Sequence, residues 1–148
     1  MNKPPFFVII FVILMFNTSY MFSQNYEEFI GLSRNDLEKK LDKEPVHIAN
    51  EKYTYQIKPG NNNITNLISF FIDPVLGVNR IATTHEYNNR WIRNKVNELT
   101  KVYGKPDERD GIYAFRAKDN ENILILVFSD ILDNKRYGII ITMLLKNE

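Results

Sequence analysis

Read from the N-terminus, the chain changes its hydrophobic period several times, and each change marks an element. The run Phe6 to Phe16 is apolar at every position, follows Lys3, and gives way to the polar Asn17, Thr18 and Ser19. A positive start, an apolar stretch of about 7 to 15 residues and a polar exit predict a secretory signal peptide over residues 1–24, because a membrane-spanning helix needs about 20 apolar residues. Beyond it the period becomes helical. Ser33 and Asp36 fit a capping box, Leu32 and Leu37 fit a hydrophobic staple, and Leu41 continues the stripe until Pro45 stops it. A second helix opens after Asn88 or Asn89, carries Ile92, Val96, Leu99 and Tyr103 on one face, and ends at Gly104 and Pro106.

Between and after these helices the period is two. Tyr53, Tyr55 and Ile57 alternate with Thr54 and Gln56, as in a strand with one buried face. Turns at Pro59 to Asn63 and Pro74 to Gly77 delimit Leu67 to Ile72 and Arg80 to Tyr87. After the second helix come Tyr113 to Phe115, Ile123 to Phe128 and Tyr137 to Leu145, with polar turns at Asp119 to Asn122 and at Asp133 and Asn134. Each half therefore reads helix, strand, strand, strand.

The halves also match in residues. Tyr53-Thr54-Tyr55 aligns with Tyr113-Ala114-Phe115, Phe70-Phe71-Ile72-Asp73 with Val127-Phe128-Ser129-Asp130, and Asn79-Arg80-Ile81 with Lys135-Arg136-Tyr137. This predicts an internal duplication of about 55 residues. The expected fold class is α+β: one domain over residues 25–148, with repeat one at 29–87 and repeat two at 88–145. These tandem helix-strand-strand-strand repeats would form one antiparallel sheet of about six strands with two helices on one face.

A helix beginning Gly31-Leu32-Ser33-Arg34, a Gly-x-Pro stop at Gly104-Lys105-Pro106 and a three-stranded meander resemble a small bacterial envelope domain. That domain is shared by the β-lactamase inhibitory proteins and the small lipoprotein of the outer-membrane assembly machinery. The tandem arrangement over Phe29 to Leu145 is similar to the inhibitory proteins. The resemblance implies one continuous sheet whose concave face grips a protein partner. The first repeat departs from the pattern, with Asp42-Lys43-Glu44-Pro45 in place of Gly-x-Pro.

Composition narrows the chemistry. With no cysteine there are no disulfides, thiolate nucleophiles, thiolate metal sites or lipid-bearing cysteine, so stability must come from packing. Loss of Lys3 with the signal would balance the 19 Lys and Arg against the 18 Asp and Glu, and a near-neutral domain is not expected to hold nucleic acid. His47 and His85 lack a ligand spacing, and Asp107, Glu108 and Asp110 lack the order of a calcium loop, so no metal is expected. Ser33 lacks the second glycine of a nucleophile elbow and reads as a cap, and Asn63-Ile64-Thr65 reads as a turn. No catalytic residue and no cofactor are expected.

What remains is the side of the sheet away from the helices. If Tyr53, Tyr55, Tyr113 and Phe115 face the helices, Thr54, Gln56, Ala114 and Arg116 face away. The strands Leu67 to Ile72 and Ile123 to Phe128 are apolar on both faces, so the outer side should mix apolar and polar groups, as binding surfaces do, unless loops or Asn25 to Ile30 cover it. The candidate partner-binding residues are Gln56, Ser69, Phe71, Arg116 and Leu124. The expected function is an exported, periplasmic or extracellular, non-catalytic binding or inhibitory module with a protein partner. A carrier of a small apolar ligand in an aromatic-lined pocket is the alternative, and membrane contact is expected only if the N-terminal segment is retained.

Overall fold

The computed structural model describes residues 26–56 and 67–145. The expected signal segment, Ile57, the turn Pro59 to Asn63 and the sequon lie outside the described residues. In chain order the elements are a 3-10 helix Tyr26–Phe29, α1 Arg34–Leu41, β1 His47–Ala49, β2 Lys52–Gln56, β3 Leu67–Asp73 and β4 Gly77–Glu86. The second repeat supplies α2 Trp91–Tyr103, β5 Asp107–Arg109, β6 Ile112–Arg116, β7 Ile123–Leu132 and β8 Lys135–Leu144.

The strands form one antiparallel sheet of eight, in the order β1-β2-β3-β4-β8-β7-β6-β5, which corrects the expectation of about six. Each repeat is a helix followed by four strands. The additional members, β1 and β5, are three-residue edge strands exposed throughout, so no buried stripe announces them. Both fold back through two-residue turns with positive φ at both positions, Asn50-Glu51 and Asp110-Gly111. This is the geometry whose twist suits a hairpin. Asp107 and Glu108 are thus strand residues, and Asp110 sits in the turn.

Ser33 caps α1 as the capping box requires, with its Oγ accepting from the Asp36 amide at 3.2 Å and donating to the Asp36 carboxylate at 2.7 Å. Asp42 ends the helix in the left-handed conformation at φ 49°, and Gly104 ends α2 at a different positive-φ conformation, φ 88° and ψ −169°. Trp91, at the start of α2, lies flat over β8, where a Cβ on Gly138 would collide with its ring. Gly138 is the one strand-interior glycine among the described residues, and its missing side chain is what admits the indole.

Two clusters make the core. Leu37 packs with Phe29, Tyr55, Phe70 and Ile81, and Leu99 packs with Phe115, Ile125, Val127 and Ile140. Register joins them on one face, since Phe70, Ile81, Thr142, Ile125 and Phe115 stand in a single row across β3, β4, β8, β7 and β6. Both helices therefore sit on the same side. The 3-10 helix sits there too, because Phe29 is buried beneath α1 with its ring edge-on to Phe70 at 5.5 Å. The described part of Asn25 to Ile30 does not cover the opposite face.

The pairing Tyr53 with Phe70 repeats as Tyr113 with Val127, and Phe70 with Ile81 repeats as Val127 with Ile140. Ile81 thus corresponds to Ile140, and the alignment of Asn79-Arg80-Ile81 with Lys135-Arg136-Tyr137 is displaced by the bulge after Phe71 and the longer β7–β8 hairpin. Ala82 and Ile141 correspond and also pair with each other, so an approximate two-fold axis passes through them, normal to the sheet.

Candidate functional site

On the helix-free face the strands lay out three rows about this axis. The central row runs His47, Thr54, Ser69, Ala82, Ile141, Leu126, Ala114 and Asp107. One flanking row runs Lys52, Phe71, Arg80, Met143, Leu124 and Arg116, and the other Gln56, Leu67, Thr84, Ile139 and Phe128. Of the expected binding residues, Phe71, Leu124 and Arg116 share a row. Ser69 stands in the central row, with its Oγ 3.1 Å from Thr54 Oγ1.

Gln56 and Arg116 do hold corresponding places in the two repeats, but the two-fold sends them to opposite corners. Five strand spacings separate β2 from β6, about 24 Å, so no small contact can use both. Arg116 also leans off the sheet, donating to the Glu121 carbonyl at 3.3 Å. Leu124, Leu126, Phe128, Ile141 and Met143 form a half-buried apolar surface over β7 and β8.

The first repeat is shaped differently. A groove of about 390 Å³ crosses it, lined by Lys52, Thr54, Leu67, Phe71 and Thr84, with Val46 and His47 on one margin. Leu132, from the end of β7, lines the same groove, so the tip of the long β7–β8 hairpin leans over the first repeat. Phe71 lies between two cations: the Arg80 guanidinium is 3.9 Å from the ring centroid and the Lys52 ammonium 5.8 Å. Sequence reasoning missed Lys52 and Arg80, although alternation from Thr54 and Ala82 puts both on this face.

The helix side has its own polar seam between the two cores, where Thr83 and Thr142 are buried at corresponding places. His85 Nε2 lies 3.0 Å from Thr83 Oγ1, and its ring stacks on Trp91 at 5.3 Å. Burial first, and then the Lys95 ammonium, pull the imidazole down to about 4. Burial and a hydrogen bond with Glu27 push the Tyr103 hydroxyl well up, which ties the 3-10 helix to α2. The cavity here is about 40 Å³, lined by Tyr26, His85, Lys95 and Leu99, and has room for about one water.

Among the described residues no three His, Asp or Glu side chains converge to hold a metal ion. No helix among them is long and apolar enough to cross a membrane. Arg34, at the start of α1, is held by Glu38 at 2.8 Å and lies over the Tyr53 ring at 5.0 Å, so this charge belongs to helix packing. Compared with protein-family models, curated proteins and solved structures, the chain matches none.

Proposed function

We propose that the chain is an exported, non-catalytic binding or inhibitory module of the bacterial envelope that holds a protein partner on the helix-free face of its sheet. The observation that carries this reading is the apolar surface of Leu124, Leu126, Phe128, Ile141 and Met143 on the side opposite both helices. An apolar centre with a polar rim is the usual composition of a recognition surface. The rim here is Gln56, Ser69, Arg80 and Arg116. The resemblance to the β-lactamase inhibitory proteins, which grip a partner with a sheet face, points the same way. The small cavity on the helix side gives little support to carriage of an apolar ligand.

The test is capture of a partner from envelope extract by the domain and by two variants checked for folding by circular dichroism. Leu126→Lys should abolish capture, because it places a charge in the middle of the apolar surface, while Lys39→Glu on the exposed side of α1 should leave it intact. Loss with Lys39→Glu and retention with Leu126→Lys moves the site to the helices. Recovery of a lipid or small molecule without a protein replaces this reading by ligand carriage.

A further inference from the structure

The chemistry of the groove on the first repeat specifies part of the partner, given the reading that the helix-free face binds protein. Lys52 and Phe71 line it, Arg80 holds its guanidinium against the Phe71 ring from the neighbouring strand, and neither cation has an ion-pair partner among the described residues. Among the described residues no Asp or Glu lines the groove. The row that holds them contains three cations, Lys52, Arg80 and Arg116, and no acid. A cation held against an aromatic ring keeps its outward N–H groups available to a second, anionic partner. The Phe71 ring and Leu67 offer apolar contact beside that charge.

We propose that this groove seats an extended acidic segment of the partner protein, with a carboxylate between Lys52 and Arg80 and an adjacent apolar side chain against Phe71. Charge distribution favours a peptide over an anionic lipid surface. The row at the other end of the same face is Glu86, Tyr137 and Asp130, about 20 Å away along the strands, and an anionic bilayer spanning the face would press against both acids. Neither Glu86 nor Asp130 lines the groove, so a segment lying in it reaches the cations without pressing on those acids. The lean of Leu132 over the groove suits a narrow occupant in the same way.

The experiment pans a random-peptide phage library on the domain, on Lys52→Glu/Arg80→Glu and on Leu126→Lys, each checked for folding. Peptides selected by the natural domain should be enriched in Asp and Glu, and those selected by Lys52→Glu/Arg80→Glu in Lys and Arg. An inverted preference is something a purely structural role for these cations would not produce. A synthetic copy of a selected peptide should bind about fivefold or more weakly when its acids are changed to amides, and more weakly in high salt.

Peptides that need Leu126 but show no acidic preference leave the face as the binding surface and overturn the carboxylate assignment. Acidic peptides indifferent to Leu126→Lys keep the groove as their seat and overturn the apolar surface as the binding centre, while no selection at all overturns both. Sedimentation with phosphatidylglycerol vesicles that is lost in Lys52→Gln/Arg80→Gln assigns the cations to lipid and likewise overturns the inference.

Discussion

In the first repeat the helix-free face carries Lys52, Thr54, Ser69, Arg80 and Thr84; at the corresponding places the second carries Ile112, Ala114, Leu126, Ile139 and Met143. The helix-side face changes far less. Tyr53 corresponds to Tyr113, Ile68 to Ile125, Ile81 to Ile140 and Thr83 to Thr142. Close packing explains the contrast, since a core position tolerates only side chains of similar volume and polarity, whereas most outer-face positions stay half-exposed or exposed and tolerate a change of polarity. One backbone plan thus presents a cationic groove on one half and an aliphatic surface on the other.

The strongest way to break the comparison is to ask whether the halves fold as one body. Leu37 is fully buried and Leu99 nearly so, each at the centre of its own cluster. Leu37→Ala and Leu99→Ala should each cost about 2 to 5 kcal/mol. Because β4 and β8 pair from Arg80 with Met143 to Glu86 with Tyr137, the loss in either half should appear as a single cooperative transition of the whole domain. Differential scanning calorimetry decides it, and two separated transitions in either variant make the repeats independent units.

A smaller effect separates the halves by pH. His85 lies at the place held by Leu144 in the second repeat, so only the first repeat has a half-buried titratable group there. The unfolded imidazole takes a proton below about 6.5 and the folded one only below about 4, so the unfolded chain binds more protons across this window. Stability attributable to His85 is therefore complete above the window and falls as pH drops through it, by about 3 kcal/mol in all. Between about pH 7 and pH 4.5, urea denaturation should show the natural domain losing about 2 kcal/mol more than His85→Leu does. Equal losses would mean that His85 takes its proton inside the fold.

How much of this was legible in the chain follows from where period and burial coincide. Leu37, Leu99, Tyr55 and Phe115 were readable as helix-side residues because each lies on an apolar stripe of the right period. Phe71, Leu124 and Ser69 were readable as outer-face residues by the same alternation. The edge strands β1 and β5 were not, because three exposed residues make no stripe, yet Asp110-Gly111 was a hairpin signal in plain view. The separation of Gln56 from Arg116 was hidden, since a repeat tells which residues correspond and not that a two-fold sends them to opposite corners. The bulge after Phe71 shifted the third strand of the repeat for a related reason, since alternation cannot register an inserted residue.

The finest difference between the cores is a single oxygen. Tyr55 and Phe115 correspond, and both are buried to about 2% exposure, but the Tyr55 hydroxyl has no hydrogen-bond partner among the described residues. Burial raises its proton affinity, so it stays a neutral donor and acceptor in an apolar setting. A buried polar atom left without a partner costs free energy that its removal returns. Tyr55→Phe, which gives the first repeat the residue of the second, should therefore gain about 1 kcal/mol, read as a higher urea midpoint at an unchanged slope. Phe115→Tyr should lose a similar amount or more, because it adds an oxygen to a core already filled against Tyr103, whose ring centre lies 6.3 Å away. If Tyr55→Phe instead loses stability, the hydroxyl holds a water or a partner in solution, and the two cores differ in their polar contacts as well as in their packing.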